Sequence, residues 1–327
     1  MRLMAAATSL HQLFERQVLL HPNTLALVCH FESITYIELN RRANQLAWRL
    51  RSRGIGTDSL VGVLDDRSIS MVVAILAILK AGATYVPLNP DEPAQQLALI
   101  IEDACLDLML VQSGFTAGAF RRVEQLYIDV SIDICSPLSV SNLPYHGSVN
   151  DIAYVIFTSS LDSRPNRVSY EHGAVSSLLL QMRGAYGIST IDRILLKTPL
   201  YIDISVLEFL LPLVNGAQII LARSAFRSDL IHLSALIQLS GVTATSFDSS
   251  LLHLFLEHKY SCSCRSLKHI WCCGEILSPS IINLFYERLP EAHLHYIDLP
   301  NDLVIQTTHL HCGKDDLREL ATISGFN

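Results

Sequence analysis

Charged residues are scarce in this sequence, and neither sign of charge is in large excess. They make up 17% of 327 residues, with 24 Lys and Arg against 31 Asp and Glu, which gives a net charge of −7. A chain without a basic excess lacks the positive field that attracts phosphate backbones, so we expect no nucleic-acid partner. Because 50% of the residues are hydrophobic, the low charge indicates a globular chain with a sizeable core rather than disorder.

Long hydrophobic runs are also absent. The longest, Met71–Leu79, stops at Lys80 and is far shorter than the roughly 20 residues that a membrane helix needs. The apolar stretch that follows Arg2 is too short for a secretory signal peptide. Eight cysteines in a chain of this length do not indicate the dense disulfide framework of small secreted proteins. We therefore expect no membrane partner and a reduced, cytoplasmic protein.

The sequence does contain a regular alternation of strand-like and helix-like segments. Short apolar runs such as Leu60–Leu64 predict buried strands, and the apolar helical segment Ser68–Ala81 ends at Gly82. This alternation predicts an α/β fold with parallel sheets covered by helices. The Pro-, Gly- and Ser-containing segment 136–150 is the best candidate linker, which gives a first α/β subdomain at 1–150 and a second at 151–327. The same periodicity predicts six core side chains: Leu76, Leu79, Val155, Phe157, Leu210 and Ile220.

Two long stretches carry a resemblance to a known family. Residues Ile34–Asn40 read ITYIELN, and residues Leu79–Pro90 read LKAGATYVPLNP. Both resemble motifs of the adenylation domains of nonribosomal peptide synthetases, which belong to the adenylate-forming superfamily, and the resemblance runs from about Leu10 to Leu310. It implies two doubly wound α/β subdomains packed side by side. It also implies a reaction in which an amino acid carboxylate attacks ATP, with Mg²⁺, to give an aminoacyl-adenylate and pyrophosphate.

The phosphate-binding loop of that family is poorly matched here. The family has a glycine-rich run that ends in Pro-Lys-Gly, whereas residues 160–167 read SLDSRPNR. In place of three glycines and a lysine this chain has Ser160, Ser163, Arg167 and Asn166. Because glycine lets backbone N–H groups close around a phosphate, we expect a solvated remnant of the loop rather than a working one. The arginines leave open a different set of cationic contacts.

The adenine and metal positions implied by the resemblance are also altered. The segment 298–302, DLPND, stands where the family has Tyr-Gly-Pro-Thr-Glu, so an aspartate replaces the tyrosine that stacks on adenine. Loss of that aromatic face removes about 1–3 kcal/mol of base stacking. We therefore expect no nucleotide cofactor, or ATP and Mg²⁺ if the chain is active. The implied nucleotide-binding remnants are Thr158, Ser159, Ser160, Asn166, Gly274, Glu275, Asp298 and Asn301, and the implied metal ligand is Asp302.

One chemical feature of the family is retained. The segment Tyr201–Glu208 resembles the family's Phe-Asp-x-Ser motif, and Asp203 stands at the position whose carboxylate holds the ammonium of the amino acid. The alternative is that Asp203 caps the helix that follows it, because aspartate is common at that position. Both interpretations stay open, and we lean towards the cap, because a pocket that no longer holds ATP has no evident reason to keep its substrate.

The resemblance also implies a set of residues around the amino acid side chain. Their mostly apolar character indicates an apolar amino acid, whereas the alternative, which we favour, is ordinary core packing. The residues are Ile204, Leu207, Ser246, Trp271, Cys273 and Ile297.

Two weaker patterns involve residues that bind metals in other proteins. Cys272 and Cys273 are neighbours on a predicted strand, so their side chains point to opposite faces and do not form a zinc site. His293 and His295 share a strand face, as do His309 and His311, and we interpret both pairs as packed or surface histidines.

Together these features predict a truncated and degenerate adenylation domain. The chain ends at Asn327, before the β-rich subdomain and the mobile lysine-bearing domain of the family, so we expect no catalytic residue in it. Its expected role is structural or docking, and its expected partners are other domains or proteins of a peptide synthetase assembly, with an amino acid as a further candidate ligand. The alternative is amino acid activation once a partner or a C-terminal part completes the site.

Overall fold

The structure is a computed structural model, and it describes residues 8–64, 67–115, 123–129, 138–144, 147–158, 166–223, 229–298 and 308–311. All structural statements below concern these residues. Within them, no helix is both long enough and apolar enough to span a membrane.

The larger of two sheets has eight strands. They are β1 (Leu25–Cys29), β2 (Glu32–Thr35), β9 (Arg193–Leu196), β10 (Gln218–Leu221), β11 (Ala244–Asp248), β12 (His269–Cys273), β13 (His293–Asp298) and β14 (Thr308–His311). Their order is β14-β13-β12-β11-β9-β10-β1-β2. The two edge strands, β2 and β14, run antiparallel to their neighbours and the others are parallel.

The smaller sheet has six strands. They are β3 (Leu60–Leu64), β4 (Thr84–Pro87), β5 (Leu108–Val111), β6 (Gln125–Tyr127), β7 (Ile152–Thr158) and β8 (Asn166–Glu171). Their order is β6-β5-β3-β4-β7-β8, and only β8 runs antiparallel to its neighbour in this sheet.

Helices form three layers around the two sheets. One hydrophobic cluster joins residues of both sheets to α1 (Leu10–Leu20), α2 (Tyr36–Ser52), α3 (Ile69–Ala81), α5 (His172–Tyr186) and α6 (Ser205–Leu213), so these helices lie between the sheets. A second cluster packs α7 (Leu230–Ser240), α8 (Ser249–Glu257) and α9 (Pro279–Arg288) on the outer face of the larger sheet. A third packs α4 (Ala94–Ala104) on the outer face of the smaller sheet. A short 3-10 helix, Ser261–Ser263, follows α8.

The local signals in the sequence explain where the central helix α3 begins and ends. The Ser68 hydroxyl accepts a hydrogen bond from the Met71 N–H at 3.0 Å, which caps the first turn. Gly82 follows the last turn with a φ of 81°, in the left-handed region that glycine adopts without steric cost. All six side chains that the periodicity places in the core are buried, so that prediction is confirmed: Leu76, Leu79, Val155, Phe157, Leu210 and Ile220.

The subdomain boundary predicted at residue 150 does not separate the two sheets. β1 and β2, from the first part of the chain, lie in the larger sheet, and β7 and β8, from the second part, lie in the smaller one. Leu27 is in register with Ile219, and Tyr85 with Tyr154. Each part of the chain therefore completes the sheet of the other, because an apolar strand pattern predicts burial but does not say which sheet the strand joins.

The segment proposed as a linker is fastened to α2 where the structure describes it. The Asn142 side-chain oxygen accepts hydrogen bonds from the amides of Asn40 and Asn44, each at 2.9 Å. The Trp48 indole N–H donates to the Ser141 carbonyl at 3.0 Å. The segment 138–144 is thus hydrogen-bonded to α2, although most of its residues are exposed.

A buried histidine lies at the start of α5, between the sheets. His172 is 1% exposed, and its Nδ1 accepts a hydrogen bond from the Leu10 N–H at 3.3 Å. Burial lowers the pKa of His172 to about 4, although the charge of Asp151 opposes the shift. The fold therefore holds this imidazole in its neutral form at neutral pH.

We expect acid to destabilise the protein through His172. Its folded-state pKa of about 4 lies below the ordinary value of about 6.5, so the unfolded chain binds more protons than the folded chain between these values. The free energy of unfolding therefore decreases as the pH is lowered through that window. At pH 5 the loss amounts to about 2 kcal/mol for this group. Urea unfolding at pH 7 and pH 5 should show a smaller loss in His172→Gln than in wild type. An equal loss in both would contradict the prediction, and exposed His253→Gln serves as the control.

Candidate functional site

The carboxyl ends of the parallel strands meet at one edge of the larger sheet. In open α/β sheets this is the edge at which ligands bind. Lys197 and Thr198 follow β9, Cys273 ends β12 and Asp298 ends β13. Asp203 lies in the turn between β9 and α6, on the same side. The described site residues of the larger sheet are thus grouped around this edge, whereas Thr158 and Asn166 lie in the smaller sheet.

Asp203 makes a hydrogen bond that joins the two sheets. Its Oδ1 accepts from the hydroxyl of Tyr170, a residue of β8 in the smaller sheet, at 2.7 Å. Burial raises the pKa of Asp203, and the hydrogen bond from Tyr170 opposes that shift by stabilising the carboxylate. The helix-cap interpretation of Asp203 is wrong, because α6 begins at Ser205 and its capping residue, Ile204, makes no side-chain cap. The carboxylate points to Tyr170 instead of to the helix.

Tyr170 belongs to a row of three stacked tyrosines. The Tyr170 and Tyr154 rings lie 4.6 Å apart at 17°, and the Tyr154 and Tyr85 rings 5.2 Å apart at 29°. Burial raises the pKa of Tyr85, Tyr154 and Tyr170. The charge of Asp203 adds to the shift in each of the three. The carboxylate therefore lies next to the stacked tyrosine rings of the smaller sheet. Sequence reasoning missed Tyr170, since nothing in the local pattern of β8 distinguishes it.

The residues assigned to the amino acid side chain are mostly inaccessible. Cys273 is half-buried, and the other five are at most 3% exposed: Ile204, Leu207, Ser246, Trp271 and Ile297. All except Ser246 pack in or against the hydrophobic cluster between the sheets. This geometry fits the core-packing alternative, and a role in binding an amino acid stays a prediction.

Cys273 is not poised as a nucleophile. Burial raises the pKa of its thiol to about 11, and the charges of Asp248 and Glu208 add to the shift while that of Lys197 opposes it. A thiol with so high a pKa stays protonated at neutral pH, and the thiolate is the reactive form.

A buried carboxylate below this edge, Glu208, was not singled out by the sequence. Glu208 is 0% exposed and accepts backbone hydrogen bonds from Lys197 at 3.0 Å and Thr198 at 2.7 Å. It also accepts from the Ser246 N–H at 3.0 Å and from the Ser246 hydroxyl at 2.7 Å. The Lys197 ammonium lies 3.9 Å from Glu208 Oε1. Glu208 therefore ties α6 to the ends of β9 and β11 and positions the surroundings of the site.

The nucleotide-binding remnants are described only in part. Thr158 and Asn166 are paired at the ends of the β7–β8 hairpin, whereas Ser159, Ser160, Asn301 and Asp302 lie outside the described residues. Gly274 follows β12 with a φ of 95°, and its carbonyl accepts from the Tyr296 hydroxyl at 2.6 Å. The Glu275 carbonyl accepts a hydrogen bond from the Ser249 hydroxyl. The side chain of Glu275 is exposed.

Histidines gather at the opposite end of strands β12 and β13. His269 Nδ1 lies 3.1 Å from His295 Nε2, and the His293 and His295 rings lie 6.3 Å apart. The His295 ring also packs on Tyr186 at 4.6 Å. Among the described residues, no group of three His, Cys, Asp or Glu side chains could hold a metal ion. The arrangement fits packed histidines.

The fold and the edge site can now be compared with known proteins. The profile of the family described as AMP-binding enzyme matches residues 14–296. This chain belongs to the AMP-binding enzyme family. The match begins within α1 and ends within β13, so it leaves out β14 and the last two residues of β13.

The curated relatives that this chain matches are longer proteins. It is 37% identical over 309 residues to tyrocidine synthase 3 of Brevibacillus parabrevis, covering 94% of this chain and 5% of that protein. It is 32% identical to zwittermicin A synthase ZmaJ of Bacillus cereus, covering 96% of this chain and 61% of that protein. The chain thus spans less than two thirds of either relative.

Solved structures agree with the fold. The nonribosomal peptide synthetase FmoA3 superposes with a TM-score of 0.83 and 25% identity, over 90% of this chain and 31% of that one. Its AMPPNP-bound form gives a TM-score of 0.85 at 24% identity, over 94% of this chain and 33% of that one. The predicted α/β fold of the adenylate-forming family is therefore confirmed.

Proposed function

We propose that this chain is a degenerate adenylation domain of a nonribosomal peptide synthetase, which does not activate an amino acid by itself. Its role is structural or docking, among the other domains of a cytoplasmic synthetase assembly. The observation that carries the proposal is the residue set at the nucleotide positions. Asn166, at the lysine position, is a neutral, exposed residue at the start of β8, and Asp298 ends β13 where the family has its stacking tyrosine.

The chemistry at these positions does not fit ATP. Catalysis of adenylate formation depends on cationic and N–H donors placed around the charge of the transferring group. Asn166 carries no charge, and a carboxylate at residue 298 repels phosphate and offers no ring to adenine. This residue set therefore supports no reaction step through ATP or Mg²⁺ in this chain.

The second candidate function is amino acid activation after completion by a further part of the assembly. Asp203 favours it, because a half-buried carboxylate is retained at the position that the family uses for the substrate ammonium. The relatives also extend far beyond the matched region. The two candidates differ in whether nucleotide binding can be recovered without changing residues 166 and 298.

We expect no amino-acid-dependent pyrophosphate exchange from the purified chain, and no low-micromolar binding of MgATP by calorimetry. The physical reason is the combined loss of the phosphate-loop glycines, the lysine and the stacking ring. The corresponding segment of tyrocidine synthase 3, cut to the same limits, is the matched control for nucleotide binding. Exchange or low-micromolar ATP affinity in the wild-type chain alone would contradict the proposal, whereas exchange only with added synthetase domains would favour the second candidate.

A further inference from the structure

The Asp203 carboxylate already has an internal partner in the described structure. The Tyr170 hydroxyl donates to its Oδ1 at 2.7 Å, across the junction of the two sheets. We propose that this hydroxyl occupies the ammonium-binding position on Asp203, so that Tyr170 determines whether an amine ligand reaches the carboxylate. The inference rests on the proposed function only in assigning Asp203 to ammonium recognition.

Tyr170 is held in this position by strand register. Tyr85 pairs with Tyr154 between β4 and β7, and Tyr154 pairs with Tyr170 between β7 and β8. The three rings are therefore direct cross-strand neighbours on one face, and such aromatic pairs stabilise a sheet. Tyr85 and Tyr154 are each 4% exposed, so the row is anchored in the core and Tyr170 is its half-buried end. The anchored tyrosine row therefore holds the Tyr170 hydroxyl beside Asp203.

An amine that takes the lone pair of Oδ1 to which the Tyr170 hydroxyl donates has to displace that hydroxyl. A buried or half-buried carboxylate needs a donor, and Tyr170 supplies one that an incoming ammonium would replace rather than add to. The displaced hydroxyl would lose its acceptor at a place where stacking restricts its movement. The net gain for an ammonium ligand is therefore small in wild type. Phenylalanine at position 170 would keep the stacked ring and remove only the competing donor.

Calorimetric titration with L-alanine tests the proposal, with propionate as the ligand that lacks the ammonium. Tyr170→Phe should bind L-alanine at least about tenfold more tightly than wild type, because hydrogen bonds to charged groups have that order of effect. The gain should vanish in the double variant Tyr170→Phe/Asp203→Asn, and propionate should show no gain. Tyr127→Phe, which removes an exposed hydroxyl on β6, should behave as wild type.

Equal or weaker binding of L-alanine by Tyr170→Phe would overturn the proposal, as would undetectable binding by that variant. Weaker binding would mean that the ammonium uses Oδ2 while Tyr170 holds Oδ1. Tyr170→Val, which suits a strand and also lacks the hydroxyl, provides the same comparison if the phenylalanine variant does not fold. The titration contains no nucleotide, so its failure leaves the proposed function intact, and pyrophosphate exchange by wild type would contradict the proposed function alone.

Discussion

Replacing Glu208 with alanine should lower the free energy of unfolding by about 3–5 kcal/mol, the range for breaking a buried ion pair from one side. The substitution leaves the Lys197 ammonium, itself 3% exposed, without the carboxylate 3.9 Å away. It also leaves the backbone N–H groups of Lys197, Thr198 and Ser246 without their acceptor. Each buried donor that loses its partner adds a desolvation cost.

Urea unfolding at pH 7 measures this effect, and Glu38→Ala is its matched control. Glu38 also makes ion pairs, with Arg41 at 3.1 Å and Arg42 at 2.9 Å, but these side chains lie at the surface of α2 and are 27–54% exposed. Exposed pairs contribute about 0–1 kcal/mol, so the control should change little. A Glu208→Ala variant that unfolds at the same urea concentration as Glu38→Ala would show that the network does not support the fold.

Leu210→Ala should destabilise the protein by about 2–5 kcal/mol, through lost burial and the cavity that remains. Leu210 lies on α6 between the two sheets and is 2% exposed. Because α6 is packed on all sides, its neighbours cannot readily collapse into the vacated space. Leu254→Ala, on the outer helix α8 with 54% of its surface exposed, is the control and should cost well under half as much.

Thermal and urea unfolding of both leucine variants provide the measurement. A similar loss in the two would mean that α6 is not part of the core. The double variant Leu210→Ala/Tyr170→Phe adds a second comparison. If it loses stability but still binds L-alanine, α6 supports stability while the turn before it supports binding.

Much of the fold could be predicted from local patterns. The run Ser68–Ala81 predicts a strongly apolar helix, and the structure has α3 there with Gly82 at its end. The six core residues were identified by period alone, because a side chain's face depends only on its spacing along a helix or strand. The family resemblance rests on continuous motifs such as Leu79–Pro90, and such motifs can be recognised in the sequence without knowledge of the tertiary structure.

The candidate site was predictable only where it coincided with a motif. Asp203 was identified from the Tyr201–Glu208 segment, but the two partners considered for it, a ligand ammonium and the following helix, did not include Tyr170. Glu208 lies in the same segment, and its hydrogen bonds to residues of β9 and β11 could not be inferred. The motif specifies which residue types are present, whereas the acceptors and donors that they meet come from distant positions in the chain.

The sequence by itself determined the α/β class, most of the elements and the family, because periodicity, caps and continuous motifs are encoded within one segment at a time. The tertiary structure decided that β1 and β2 join the larger sheet, that β7 and β8 join the smaller one, and that Asn142 fastens the supposed linker to α2. It also decided that Tyr170 meets Asp203. These contacts join residues that are far apart in sequence. They form because the packing of the whole chain sets the strand register and decides which residues are buried together.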